Sequence, residues 1–353
     1  MPIASVLPTA LTPRLYRWPA LILTALLTIA CGPADPLEDY ADRVARVLDQ
    51  PVEPAAPSLP RYPRPRDRHL PVSPERTGWI GYFQLKRCGL LGLIGQRNSI
   101  LGRVAPPARR LDYERTMLAG LRACRPDTRE AAADPEFAAR LDELIATKQA
   151  QLPNVIWNAT LGADAVADAF SLAAGRLPVT TDVMPGESAE ALATLTRAAR
   201  APQPPETLEP AYRVLETRHY GGRLLQSVAT VTATLDAVTT AIEQRQNRRP
   251  LCFRGQANRQ ARIAETVLRK FYIAGLQPHM AAISDAGRLW HEALDALFAS
   301  QSVTVPEAIT RYRGRTLGES SRIWRHYRRA SREHGQAWPE LLDSCGLAPA
   351  RGF

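Results

Sequence analysis

Hydrophobic positions recur at helical spacing along most of this chain. Leu37, Tyr40, Val44, Val47 and Leu48 fall three or four residues apart and predict one apolar helix face. Asp35-Pro36-Leu37-Glu38 opens that helix. It offers a capping carboxylate, a proline in the first turn and an acid near the positive end of the helix dipole. The helix is expected to end near Gln50. Leu224, Val228, Val231, Leu235, Val238 and Ile242 alternate steps of four and three, a heptad seam over about three heptads. Such a seam predicts a packed bundle helix.

The intervening and following segments carry weaker versions of the same signal. Leu111, Met117, Leu118 and Leu121 mark one helix, and Asp134-Pro135 opens another carrying Phe137, Leu141, Leu144 and Ile145. Val155, Ile156, Val166 and Phe170 place one or two helices in 154–174. Loops are expected at 176–187 and 201–207, with a short Ala-rich helix between them. Tyr220-Gly221-Gly222 is expected to break the chain before the seam, and Pro250 to end it. Ile263, Val267, Leu268 and Phe271 define a further face, then Gln277-Pro278 gives a break or kink. Met280, Ile283, Leu289, Trp290, Leu294 and Leu297 follow. The tail predicts a helix after Pro306, a longer one through Trp324 and a last turn at Trp338–Gly346. Few windows alternate in the manner of strands, and no repeat of fixed period occurs. The expectation is an all-α bundle or array of about ten helices.

Two stretches depart from simple amphipathicity. Prolines at 51, 54, 57, 60, 63, 65, 71 and 74 forbid regular helix and favour extended polyproline geometry. This segment reads either as a semi-rigid spacer or as a strap laid along the helices, with Leu59, Tyr62 and Leu70 available to dock. The second stretch, "GWIGYFQLKRCGLLGLIGQRNSILG", has Gly89, Gly92 and Gly95 three apart. They are expected to share a helix flank where a neighbouring backbone packs close, offsetting the roughly 1 kcal/mol that glycine costs in a helix.

The first thirty residues are of another kind. Arg14 and Arg17 precede thirteen uncharged residues, Trp18 to Ala30, and no acid occurs before Asp35. A membrane span needs roughly 20 apolar residues, so this run is too short and suits a secretory leader instead. Leu27-Thr28-Ile29-Ala30-Cys31-Gly32 resembles the lipobox of bacterial lipoproteins. That resemblance implies cleavage before Cys31 and acylation of its thiol and new amino terminus. Thr28 stands where that family prefers leucine. Several acyl chains, at about 0.8 kcal/mol per buried methylene, form a durable anchor to the bilayer. Gly32 in place of an aspartate implies, by the same resemblance, the outer membrane.

Residues 1–30 thus read as the leader. Residues 31–75 read as a lipidated start with a short helix and a proline-rich tether or strap, and 76–350 as a single α-helical periplasmic domain. Removing the leader leaves 323 residues and an excess of eight positive charges, enough chain for a large core. The positive residues are almost all arginine, with lysine only at Lys86, Lys148 and Lys270. They are interspersed with acids, so the surplus reads as solvated helix faces. The densest run, "RIWRHYRRASREH", reads first as such a face and second, with its interleaved aromatics, as a contact for phosphate or a lipid headgroup; nucleic acid is not expected as a partner. Cys88, Cys124, Cys252 and Cys345 remain beside Cys31. In an oxidising compartment four thiols suggest two disulfides, with three possible connectivities. Sequence alone does not choose among them; Cys88–Cys124 with Cys252–Cys345 is preferred, clamping neighbouring helices and tying the carboxyl end back.

Catalytic signatures are few. "HEALD", His291 to Asp295, is the nearest approach to a zinc motif, but it lacks the second imidazole at its fifth position. His291 is therefore read as structural or exposed. No GxSxG, SxxK or GK[ST] loop occurs, and no metal or cofactor is expected. The one polar cluster is Gln96, Arg97, Asn98 and Ser99. It reads first as helix-end capping, and second as a site for a carboxylate or phosphate.

The lipobox start, "DYADRVARVL", "LKRCGLLGLIGQRNSILGRV", "LDYERTMLAGLRAC" and "AGLQPHMAAI", in that order, together resemble an uncharacterised family of Gram-negative bacterial lipoproteins with a domain of unknown function. The resemblance spans most of the chain past the leader. It implies an envelope location and supports the positions of Cys88 and Cys124, but carries no activity. The resulting expectation is a non-catalytic binding or scaffolding lipoprotein, partnered by the bilayer through Cys31 and by an envelope protein or peptidoglycan. The alternative is an envelope hydrolase or small-ligand sensor using the polar site around Arg97-Asn98-Ser99.

Overall fold

In the computed structural model the chain is described over residues 35–73, 85–126, 133–201 and 207–347. The leader, Cys31 and Gly32 lie outside these residues. The elements are α1 (Pro36–Leu48), α2 (Pro65–Arg68), α3 (Leu91–Asn98), α4 (Ile100–Arg103), α5 (Pro107–Ala123), α6 (Pro135–Ala159) and α7 (Asp164–Ala169). There follow α8 (Gly186–Arg200), α9 (Glu209–Arg218), α10 (Tyr220–Arg248), α11 (Arg259–Val267), a π-helical stretch (Leu268–Leu276), α12 (Gln277–Ala299), α13 (Glu307–Thr316) and α14 (Arg322–Asp343). The described residues contain no strand. With α11, the π stretch and α12 taken as one rod, ten helices exceed seven residues, and three short ones join them. The fold is all-α.

Caps placed by sequence begin several helices. The Asp35 carboxylate accepts from the Leu37 N–H at 3.1 Å and Asp134 from Phe137 at 3.2 Å. Asn258 caps α11, accepting from Ala261 at 2.8 Å. Such a side chain satisfies one of the N–H groups a helix start leaves open. The seam residues Leu224, Val228, Val231, Leu235, Val238 and Ile242 are all buried in α10, whose main neighbour is α14.

The first and last long helices meet over α10 at one buried polar node. Trp338 Nε1 donates to the Tyr40 hydroxyl at 2.8 Å, and that hydroxyl lies 2.8 Å from His334 Nε2. Thr239 Oγ1 of α10 is 3.3 Å from His334 Nδ1. The Tyr40 oxygen accepts from tryptophan, and the hydroxyl and His334 Nε2 share the second hydrogen bond. Tyr40 and His334 are fully buried.

The proline-rich segment is a strap, not a spacer. Tyr62 stacks on Phe170 with ring centres 5.2 Å apart and donates its hydroxyl to the Leu161 carbonyl at 2.9 Å. Buried Arg68 donates to the carbonyls of Gly162 and Pro63, each at 2.8 Å, and pairs with Asp164. Asn158 bonds both the N–H and the C=O of Leu70, and Trp157 Nε1 donates to the Arg68 carbonyl. Proline backbone cannot pair with itself in a helix or sheet. These side chains take over that role.

A second, smaller core holds Leu85, Leu90, Ile94, Met117, Leu121, Phe137 and Leu141 between α3, α5 and α6. The disulfide Cys88–Cys124 closes it, and Cys252–Cys345 ties the end of α14 to the turn after α10.

Several local expectations are corrected. Gly89 precedes α3 with φ +67°, and a Cβ on Gly92 or Gly95 would meet nothing within 4 Å, so no backbone among the described residues packs on that flank. The glycine under pressure there is Gly120 of α5, where a Cβ would lie 2.5 Å from the Leu90 side chain. Gly221 and Gly222 do not break the chain. They form the first turn of α10 against Phe170 and Ser171, and the reversal falls one residue earlier at His219, φ 47°. Gln277-Pro278 makes no break either. The Gln277 N–H bonds the Tyr272 carbonyl five residues back, and the π register carries the rod through. Ile263 is 46% exposed, because α11 packs through the small residues Ala261 and Ala264. Trp338–Gly346 forms no separate turn: α14 continues past Pro339 to Asp343.

Two outcomes follow from the node. Tyr40→Phe leaves Trp338 Nε1 and His334 Nε2 buried without partners, and is expected to lower stability by about 2–4 kcal/mol in chemical denaturation. Burial also holds the His334 imidazole down at about 3 and that of His291 at about 4, against an ordinary 6.5. Such histidines are neutral in the fold and take a proton only when unfolded. Their stabilisation is complete above the unfolded value and is lost as pH falls from there towards the folded one. Denaturation midpoints are therefore expected to fall between neutral pH and about pH 5, each histidine adding a slope of about 1.4 kcal/mol per pH unit. A flat profile contradicts this.

Candidate functional site

The predicted polar cluster sits at the turn from α3 into α4. Ser99 is the N-cap of α4: its Oγ accepts from the Gly102 N–H at 3.0 Å and donates to the Gln96 carbonyl at 2.7 Å. The Arg97 guanidinium donates to the Gly102 carbonyl. The turn is so tight that a Cβ on Gly102 would fall 2.0 Å from the Gln96 carbonyl oxygen. Ser99 and Arg97 are thus engaged with the backbone in the way that capping requires.

The same turn forms one wall of a cleft of about 840 Å³. Gln96, Arg97 and Ser99 line it together with Arg109, Arg110, Asp112 and Tyr113 of α5. Glu209 and Arg213 of α9 form the facing wall. Asn98 does not line it. Arg110 is committed elsewhere, bonding Glu114 at 2.5 Å, while Lys148 reaches the same buried carboxylate at 2.8 Å. Arg109 stands 3.8 Å from Glu209, and Arg213 makes no ion pair among the described residues. Burial lowers the Arg97 guanidinium pKa, and the Arg110 charge lowers it further. Burial and then the Glu209 charge raise the Asp112 carboxyl. The arrangement can hold an anionic group against arginine, beside a carboxyl whose pKa is raised from its ordinary value. It offers no activated nucleophile, since the Ser99 hydroxyl serves the turn.

Asp112, Glu209 and Arg213 escaped the sequence reading. They come from helices about a hundred residues apart, and none stands in a motif. Only the fold, which brings α5 and α9 to opposite walls of one cleft, puts them together.

His291 lies in a second cleft, of about 670 Å³, between α12, α13 and the loop at 317–320. It is 6% exposed, with its ring edge-on to Trp324 at 5.0 Å and Nδ1 unpartnered. Asp295, the fifth residue of "HEALD", pairs with Arg313 at 2.6 Å. A carboxylate held by a guanidinium is a poor metal ligand. Among the described residues no three His, Cys, Asp or Glu side chains are grouped to hold a metal ion.

If the Ser99 hydroxyl serves the turn, Ser99→Ala is expected to cost about 1 kcal/mol. Amide exchange should show that loss confined to α3 and α4. Unchanged protection there would contradict the capping role.

No curated protein and no solved structure matches this chain. A family model does, over residues 37–349, from the first turn of α1 to just past the Cys252–Cys345 bridge. The chain therefore belongs to the family described as protein of unknown function (DUF3080).

Proposed function

We propose that this protein is a lipid-anchored lipoprotein of the Gram-negative envelope that binds or scaffolds a partner without catalysing a reaction. The observation that carries the reading is the pairing of cysteines. Cys88 bonds Cys124 and Cys252 bonds Cys345, which leaves Cys31 as the odd thiol, at the end of the apolar leader. Two disulfides suit an oxidising compartment. A lone cysteine following Leu27-Thr28-Ile29-Ala30 suits acylation.

The start of the fold adds geometry to this reading. Asp35 is both the cap of α1 and an ion-pair partner of Arg176. Four residue steps separate it from Cys31, a reach of at most about 14 Å. Because the proline-rich segment is a docked strap, it lends no length to the tether. The domain then rests beside the bilayer on the end where α1 begins. Beside the acids Asp35, Glu38 and Asp39 that open α1, two stretches at that end carry little charge: Phe271 to Ser284 contains no Asp, Glu, Lys or Arg, and the only such residue from Ser171 to Thr181 is Arg176. The two stretches meet where His279 Nδ1 lies 2.7 Å from the Thr180 carbonyl. Gly32 points to the outer membrane as the host bilayer.

One observation favours a second reading, a small-ligand sensor or envelope hydrolase. The cleft beside Arg97 sets arginines around the raised Asp112 carboxyl and Glu209, a setting that suits an anionic ligand.

The anchoring reading is tested by Cys31→Ala in the full chain. The variant is expected to leave the membrane fraction for the soluble envelope fraction, with its melting temperature unchanged. A folded Cys31→Ala protein that stays with membranes overturns it.

A further inference from the structure

The turn after α10 carries features that neither the core nor the clefts use. Between Gln244 and Ala264 the chain has six arginines and no acid. Arg245 is turned inward, donating to the Arg249 carbonyl at 2.7 Å. Arg248, Arg249, Arg254, Arg259 and Arg262 are exposed, and none makes an ion pair among the described residues. Elsewhere on this molecule exposed arginines are commonly paired, as Arg218 is with Glu187 or Arg311 with Glu307. The acid that closes the stretch, Glu265, is taken by Arg269. Glu243 and Asp49 stand at the margin.

In the middle of this charge sits Phe253, 77% exposed. A large aromatic side chain in water forfeits the burial that ordinarily offsets its ordering. Its mount is nonetheless rigid. Cys252 is bonded to Cys345, Asn258 donates to the Leu251 carbonyl at 2.7 Å, and Phe253 pairs back to Gln256 across the turn. Arg254 and Gly255 take left-handed backbone angles to make that turn, φ 54° and 69°. Beside it, exposed Ile263 with Arg46 and Arg259 lines a groove of about 550 Å³.

We propose that this end of the molecule is a docking surface for an acidic protein, with Phe253 inserting into an apolar pocket of the partner and the unpaired arginines meeting its carboxylates. Arginine and aromatic residues are the side chains enriched at interface centres, and a fixed turn avoids the ordering cost that a mobile loop would incur on binding. Excess positive charge without internal compensation selects a negative partner and speeds its approach. Location argues against the protein's own bilayer, a step that rests on the anchoring proposed above. Gln260 of this surface bonds the carbonyl of Val47, at the far end of α1 from Asp35. The 13 residues of α1 rise 1.5 Å each, which places the surface about 20 Å beyond the tether.

The test places a photoreactive benzoylphenylalanine at position 253 of the full chain in living cells, with a control at exposed Met184. The expected result is one protein adduct specific to position 253, whose crosslinked peptide is rich in Asp and Glu. It should vanish when Arg254→Glu and Arg259→Glu are added. Both arginines are exposed, so the melting temperature should not change. Affinity for the purified partner should drop about tenfold or more from low to high salt. Absence of an adduct, an adduct to lipid, glycan or a second copy of this chain, or one indifferent to charge reversal overturns the proposal. Because Cys31→Ala is read by fractionation, loss of anchoring and loss of docking are separable.

Discussion

The arrangement depends on a single buried contact between the two ends of the chain. Tyr40, five residues into α1, shares hydrogen bonds with His334 and Trp338 of α14, and Thr239 of α10 completes the set. Each of these polar atoms is sealed from water, so each needs its partner. Tryptophan can only donate, so the Tyr40 oxygen must accept from it, and burial keeps the His334 imidazole neutral. Apolar packing alone would let α1 slide along the seam. The node fixes its register, and with it the position of Asp35 at the start of α1.

The strap works by the same logic at the surface of the core. Outside the four-residue α2, the prolines from 51 to 71 leave the backbone extended and without partners of its own. The turn at 157–164 answers with its own groups: Trp157 and Asn158 donate to strap carbonyls, while the carbonyls of Leu161 and Gly162 accept from Tyr62 and Arg68. Docking of the strap decides how far the domain can stand from Cys31. On the proposed reading the domain lies close to its bilayer, the charge-poor stretches at 171–181 and 271–284 lie on the lipid side, and the Phe253 surface points away from it.

Much of this fold was legible in the residues. The faces of α1 and α10, the Asp134-Pro135 start and the all-α class follow from spacing and capping chemistry, which act within a few residues. Legibility stopped where a distant neighbour decides. Gly92 and Gly95 suggested close packing, yet the glycines crowded by groups from elsewhere in the sequence include Gly120, Gly221, Gly222 and Gly287. Ile263 read as core because its spacing fitted. Small alanines in α11 bring α1 close on another face and leave it exposed. The polar cluster at 96–99 was located correctly as a helix end. Its cleft partners Asp112, Glu209 and Arg213 were invisible, because only the tertiary fold sets α5 and α9 across one cleft.

The most direct test of the central claim, an exported chain tethered at Cys31 against a fold that begins at Asp35, is the intact mass of the protein from native membranes. The account predicts a chain starting at Cys31, heavier by its acyl groups and lighter by the four hydrogens lost in two disulfides. A mass that retains Met1, or that shows Cys31 unmodified, would contradict it.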